Sequence, residues 1–164
     1  MKSSLYMLVA SFAMVGCSGT MYITPAEPKP IQSSFSFDTD YDKTWLLVVD
    51  WFAENNIVID KIEKNSGLIT AKYDLRLYPS ALDCGDVRPS TLATVRSINK
   101  VANLNMTVRN VSADKTRVSI NIAGSYNGVA YDEGWGNTLT FSGLCYSTGK
   151  VEQSVANYIS QRIE

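Results

Sequence analysis

Two stripes of apolar residues at helical spacing predict one helix near each end of the folded part of the chain. The first stripe consists of Tyr41, Trp45, Val48, Val49 and Phe52. It predicts a helix from Lys43 to about Asn55, capped by Asp42. The second stripe consists of Val151, Val155, Tyr158 and Ile159. It predicts a C-terminal helix whose dipole favours Glu152 in the first turn.

Alternation of apolar and polar positions predicts strands between these helices. The alternating segments are residues 34–37, 57–62, 68–73, 101–108, 118–122 and 139–145. Lys64-Asn65-Ser66-Gly67 has the residues of a tight hairpin turn. The outward positions of the central pair are small and neutral, which is typical of an antiparallel sheet that packs on one face only.

Two stretches lack clear periodicity and are predicted as connections. Residues 75–99 contain Pro79, Gly85 and Pro89 and predict a long loop, with a short helical turn near 91–96. Residues 125–137 predict a glycine-rich connection that carries Tyr126, Tyr131 and Trp135. These three aromatic residues are candidates for stacking on a sugar ring or a partner side chain. The alternative is that they simply cover the end of the sheet.

The resulting order is β-α-β-β-(loop)-β-β-β-α. Helices at both ends of a block of antiparallel strands predict an α+β fold, with a curved sheet and both helices packed on one face. One folded domain is expected over residues 35–164.

The N-terminus has the pattern of an export signal. Lys2 precedes an uncharged apolar run that ends at Gly16-Cys17. The run is shorter than the roughly 20 residues of a membrane span. Met14-Val15-Gly16-Cys17 resembles the lipobox of bacterial lipoproteins, which implies a signal peptide over residues 1–16 and lipidation of Cys17. An ordinary secreted protein is the alternative. Residues 17–34 contain three prolines and predict an extended tether between the lipid and the domain.

Composition narrows the chemistry that the domain can perform. The formal net charge is −1, so no electrostatic footprint for nucleic acid is present, and acyl chains rather than charge would hold the protein to a membrane. The sequence contains no histidine, which excludes His-dependent nucleophilic catalysis and His-based metal sites. We therefore expect no enzyme activity, no cofactor and no metal. Asp38, Asp40 and Asp42 have the spacing of a calcium loop but lack its glycine and distal glutamate.

Cysteine usage predicts one disulfide. With Cys17 lipidated, Cys84 and Cys145 remain as an even pair in an exported protein, where oxidation is the ordinary outcome. Two cysteines without histidine make a poor zinc site.

A second candidate for partner binding lies on the first helix. Leu47 and Trp51 are one turn apart and point largely away from the apolar stripe of that helix. Tryptophan is enriched at binding hot spots, so an exposed patch for protein contact is one interpretation. In the other interpretation, the long loop folds over this face and buries both residues.

Part of the pattern resembles a known family. Tyr41-Asp42-Lys43-Thr44-Trp45, the strand at 57–62 and Ser66-Gly67-Leu68-Ile69 are similar to the helix-grip domains of BamC, the C subunit of the bacterial β-barrel assembly machinery. Asp83-Cys84-Gly85 and Cys145-Tyr146-Ser147-Thr148 resemble small proteobacterial lipoproteins. The chain has one such domain where BamC has two. The resemblance implies a helix-grip-like fold over residues 35–164 and supplies no catalytic residues.

These observations predict a non-enzymatic envelope lipoprotein that serves as a protein-interaction or accessory module of an envelope complex. The alternative is a binder of a small apolar or glycan ligand between the sheet and the C-terminal helix. Ser18 follows the lipidated cysteine, and by resemblance this favours the outer membrane, with the domain in the periplasm.

Overall fold

A computed structural model describes residues 18–73 and 79–163. Residues 1–17, with the proposed lipidation site Cys17, and residues 74–78 and 164 lie outside this description. The elements in chain order are β1 (Met21–Thr24), β2 (Ser34–Phe37), α1 (Tyr41–Glu54), β3 (Ile59–Glu63), β4 (Leu68–Tyr73), β5 (Leu82–Asp83), β6 (Asp86–Pro89), β7 (Ala93–Ser112), β8 (Lys115–Asp132), β9 (Asn137–Ser147) and α2 (Lys150–Ser160). Within the described ranges, no helix is long and apolar enough to cross a membrane.

The fold is α+β, as predicted, with a seven-stranded antiparallel sheet and one helix near each end of the folded chain. The strand order is β3-β4-β7-β8-β9-β5, and β2 pairs with the first part of β8. Side chains of β7 and β8 alternate between a buried face and an exposed face. Met106, Ile120 and Val118 are fully buried on the inner face. This alternation sets the register, because a slip of one residue would turn these side chains to water.

Both helices pack against the inner face of the sheet. Val48 and Phe52 of α1 belong to the same buried cluster as Val155 and Ile159 of α2 and the inner residues of β7 and β8. Helix α1 also contacts α2 directly. The cap of α1 is Asp40 rather than the predicted Asp42, because the Asp40 side chain accepts a hydrogen bond from Lys43 N. The helix therefore begins at Tyr41.

The predicted loop at 75–99 and the connection at 125–137 are wrong where the structure describes them. Residues 82–83, 86–89 and 93–99 are strands, and no helical turn forms at 91–96. Strand β8 continues to Asp132 and leaves a short turn before β9. Glycines that indicate a loop in the sequence instead lie opposite aromatic rings across β8 and β9. Gly128 pairs with Phe141, and Gly143 pairs with Tyr126.

The predicted tether is not extended away from the domain. Strand β1 pairs antiparallel with β6 in a separate two-stranded sheet, in which Met21 and Val87 pack against the core. The following proline-rich stretch also lies along the domain. A side chain at Gly85 would meet the backbone of residues 24–26, and Ile120 N donates to Ser33 O. The composition indicated a tether because prolines dominate it, whereas the alternating Met-Tyr-Ile-Thr segment pairs as a strand.

Candidate functional site

The predicted disulfide is present. Cys84 follows β5, Cys145 lies near the end of β9, and the two sulfurs are bonded, with the Cα atoms 4.0 Å apart. The bond lies beside the short pairing of β5 with β9 at Asp83 and Tyr146. It therefore fixes the segment between β4 and β7 to the last strand of the sheet.

The predicted patch of Leu47 and Trp51 does not exist. Trp51 is only 2% exposed, and its Nε1 donates to Ser154 Oγ of α2 at 3.3 Å. Leu47 is half-buried against the core. Helix α1 has two packed faces, one toward the sheet and one toward α2. A single apolar stripe does not reveal the second face. The leucine that is exposed is Leu46, at 60%.

The three aromatic candidates do not lie on one surface, because Tyr126 and Tyr131 are on opposite faces of β8. Tyr126 is 3% exposed on the inner face, where its ring lies over Gly143. Tyr131 is half-buried on the opposite face, with the Arg96 guanidinium carbon 5.4 Å from the centre of its ring. Trp135 is 63% exposed in the turn between β8 and β9. Burial therefore excludes Tyr126 as a stacking residue, and the binding role of Tyr131 and Trp135 stays a prediction.

Two spaces lie beside α2. An open groove of about 380 Å³ between α1 and α2 is lined by Glu54, Asn157 and Tyr158 among others. A cavity of about 120 Å³ lies between Trp51, Tyr73 and Val151. Ordinary ligand pockets have volumes of roughly 300 Å³ or more. A larger recess of about 610 Å³ opens where β4 ends beside β7, lined by Lys72, Tyr73 and residues 98–103. Tyr73 lines both this recess and the cavity beside Val151, and the described chain is interrupted just after it, between residues 73 and 79.

The outer face of the sheet, opposite the helices, carries no charged side chain at the alternating positions 97–107 of β7, 119–131 of β8 and 138–146 of β9. Arg109 and Arg117 lie on the same face beyond this region, and the Arg96 guanidinium borders it over Tyr131. We call this uncharged region the open face. Its side chains on these strands are Thr94, Ser97, Asn99, Val101, Asn103, Asn105, Thr107, Ser119, Asn121, Ala123, Ser125, Asn127, Val129, Tyr131, Thr138, Thr140, Ser142, Leu144 and Tyr146. All of them are exposed or half-buried. About a quarter of the residues of an ordinary soluble domain are charged, so the region between Arg96 and the Arg109–Arg117 pair is poorer in charge than an ordinary surface.

Val101, Ser125 and Leu144 lie side by side in one row across the open face. The two aliphatic side chains of this row are 49% and 62% exposed. An apolar row amid hydroxyl and amide groups combines hydrogen bonding with apolar contact, as protein interfaces do.

One border of the open face is a free strand edge. Beyond the short contact with β5 at 146–147, no strand of the described residues pairs with the outer side of β9. Two hydrogen bonds show which backbone groups point to this side. Thr148 N donates to Ala81 O on the outer side of β9, and Ile120 N of β8 donates to Ser33 O on the side of β8 that β9 also occupies. Because backbone groups alternate in direction along a strand, those of Thr138, Thr140, Ser142 and Leu144 point outward.

The sequence of the free edge lacks the residues that usually protect edges. Natural sheets block exposed edges with lysine, proline, bulges or a covering element. Residues 137–148 contain no charged residue and no proline, and the register of β9 with β8 is continuous. The sequence contained this signal as an uncharged stretch. Its meaning depended on β9 lying at an edge, which periodicity does not reveal.

The buried carboxylate of Glu152 has a structural role. Its Oε1 accepts a hydrogen bond from Ser147 Oγ at 2.7 Å. Ser147 Oγ in turn accepts a hydrogen bond from Gly149 N. These contacts hold the start of α2 against the end of β9. Among the described residues, no three His, Cys, Asp or Glu side chains are grouped so that they could hold a metal ion.

No protein-family model matches this sequence, and no curated protein matches it either.

Proposed function

We propose that the chain is a lipid-anchored, non-enzymatic protein of the bacterial cell envelope that binds another envelope protein along the free edge of β9. The partner contributes an extended segment that adds to the sheet as a further strand. The free edge, without charge or proline, is the observation that carries this proposal.

The direction of the backbone groups supports strand addition. The outward N–H and C=O groups of Thr138, Thr140, Ser142 and Leu144 offer a partner strand a ladder of hydrogen bonds. Their side chains lie on the open face, where they border the row formed by Val101, Ser125 and Leu144. A partner strand would therefore receive main-chain bonds at the edge and side-chain contacts on the open face.

The anchor and location follow from the N-terminal sequence. Met14-Val15-Gly16-Cys17 supports lipidation of Cys17, and Ser18 supports sorting to the outer membrane with the domain in the periplasm. The similarity of several segments to helix-grip domains of BamC supports an accessory role in an envelope complex. A partner that is an envelope protein is consistent with all three points.

The proposal is tested by photo-crosslinking in whole cells and by paired substitutions. A photoreactive residue at Thr140 should give a crosslink to one protein partner, and one at Asn157, exposed on α2, should not. Thr140→Pro removes one outward N–H, leaves the bonds between β8 and β9 in place and should abolish partner binding. Thr140→Val keeps that N–H and should bind normally.

The substitution Asn105→Lys distinguishes binding at the edge of β9 from binding on the open face. Asn105 is exposed on the open face but belongs to β7, inside the sheet. Binding that survives Asn105→Lys and fails with Thr140→Pro is the expected result. Loss with Asn105→Lys alone, or capture of a glycan instead of a protein, contradicts strand addition.

A further inference from the structure

The first described residues are fixed to one end of the sheet. Gly19 N donates to Asp132 Oδ1 at 2.8 Å, in a buried contact. Thr20 N donates to Ser90 Oγ at 3.0 Å, and Ser90 N donates to Thr20 O at 2.9 Å. A side chain at position 19 would overlap Leu92 O and the Asp132 carboxylate, so the backbone is in direct contact with the sheet here.

The same carboxylate organises the turn between β8 and β9, residues 133–136, which we call the tip. Asp132 Oδ1 accepts from Gly134 N at 2.8 Å and from Trp135 N at 3.2 Å, besides Gly19 N. Burial by itself would raise the pKa of Asp132, but these three backbone hydrogen bonds outweigh it and the pKa is lowered. One ionised side chain therefore joins the N-terminal segment to the tip.

The tip presents an exposed tryptophan close to the proposed lipid. Chain connectivity alone places Cys17 within about 7 Å of Gly19, since each residue spans at most about 3.6 Å. Trp135, in the same turn, is 63% exposed. Tryptophan is enriched at the membrane–water interface, where its ring is partly apolar and its N–H reaches water.

We propose that the domain contacts the bilayer through the tip, with Trp135 inserted at the level of the lipid headgroups. This inference rests on the lipidation of Cys17 in the proposed function. The short distance from the anchor to Gly19 leaves no slack that would hold the domain away from the surface. The charges beside the tip are paired, Glu133 with Arg96 at 3.7 Å, so a zwitterionic lipid surface is a sufficient partner.

The length of the sheet gives the proposal a directional consequence. Strand β8 runs 18 residues from the turn at 113–114 to Asp132, which corresponds to about 60 Å along the strand at roughly 3.3 Å per residue. The helices pack on the half of the sheet that is far from the tip, around residues 102–108 and 116–122. The free edge of β9 begins beside the membrane at Asn137 and leads away from it.

Fluorescence quenching tests this orientation. The sequence contains three tryptophans, and Trp135 is the one whose side chain is exposed. Trp45 and Trp51 are 5% and 2% exposed. The lipidated full-length protein is reconstituted into phosphatidylcholine vesicles in which some acyl chains carry bromine close to the glycerol. The emission that Trp135 contributes is obtained as the difference between the wild type and Trp135→Phe. We expect bromine to reduce this emission about twofold or more if the ring lies at the interface.

The matched control places a tryptophan at the other end of the sheet. Val111 lies near the far turn and is 47% exposed. In the Trp135→Phe/Val111→Trp variant, the new emission should not change with bromination. Equal quenching at both positions would show that the domain lies flat, and quenching at position 111 alone would show the opposite orientation. Either result overturns the proposal.

The anchor is measured separately by palmitate labelling and by the mass of the mature N-terminus. Protein that is lipidated and floats with vesicles, but whose Trp135 emission is unaffected by bromine, overturns the orientation and leaves the lipid anchor intact. Absence of lipid on Cys17 overturns the anchor itself, and the orientation fails with it.

Discussion

Replacing Trp51 by alanine measures how much α1 depends on α2. Trp51 is 2% exposed, contacts the Phe52 ring edge-on with the ring centres 5.3 Å apart, and donates from Nε1 to Ser154 Oγ. Removing a buried tryptophan costs about 3–5 kcal/mol, including the cavity that remains. The lost hydrogen bond contributes at most about 1 kcal/mol, because Ser154 is exposed and water can replace the indole.

This loss is large relative to the stability of a domain, which is about 5–15 kcal/mol in total. We expect Trp51→Ala to lower the free energy of unfolding by about 3–5 kcal/mol, and the melting temperature by about 10 °C. Urea unfolding followed by far-UV circular dichroism gives the free energy, with an unchanged slope if both proteins unfold in one step.

Two variants separate the contributions. Trp51→Phe keeps much of the packing, so it should cost less than Trp51→Ala, and Ser154→Ala isolates the hydrogen bond. Leu46→Ala, at a position that is 60% exposed on the same helix, should change stability by less than about 0.5 kcal/mol. If Trp51→Ala is as mild as Leu46→Ala, the packing of α2 on α1 described above is wrong.

Four further changes have expected outcomes. Removing the disulfide by Cys84→Ser should lower stability by about 4 kcal/mol in the chain-entropy estimate for a separation of 61 residues, measured by urea unfolding. Gly128→Ala should cost about 1–3 kcal/mol because its methyl group would overlap the Phe141 ring, and thermal unfolding should show partial recovery with Phe141→Leu. Burial and the hydrogen bond to Glu54 raise the pKa of Tyr158 to about 12. The stability from its protonated form should therefore be complete below about pH 10 and be lost as the pH rises through the folded value, and Tyr158→Phe should remove this dependence. Hydrogen bonds lower the pKa of Asp132. The stability that ionised Asp132 contributes should therefore be complete above about pH 4 and be lost as the pH falls through the pKa of the folded state, which a change in Trp135 emission would report.

The elements that the sequence predicted best are those whose pattern depends on one neighbour. The hairpin of β3 and β4 turns at residues 64–67, where Gly67 has a φ of +59°. Leu104 and Met106 alternate with exposed asparagines because one face of β7 packs and the other does not. The disulfide was predicted from the number of cysteines and the predicted export signal alone. None of these required knowledge of which elements meet across the fold.

The wrong predictions concern residues that pack against a second element, which lies elsewhere in the sequence. Trp51 lies outside the stripe that faces the sheet and is buried by α2, an element almost a hundred residues further along the chain. Tyr126 and Gly128 indicated a turn in the sequence. In the structure both lie in β8, where the Tyr126 ring faces Gly143 of β9 and the Phe141 ring of β9 faces Gly128. A glycine opposite an aromatic residue is a property of two strands in register, and a single stretch of sequence does not display it.

The N-terminal segment also makes contacts with residues far along the chain, and these contacts relate the proposed anchor to the free edge of β9. An extended tether would let the domain take any orientation above the membrane. The contacts of Gly19 with Asp132 and of Thr20 with Ser90 instead fix where the chain leaves the domain. If Cys17 carries lipid, the free edge of β9 has a defined start at the bilayer and a defined direction away from it. A partner segment that adds to this edge would then begin or end close to the membrane, since it must follow the strand with which it pairs.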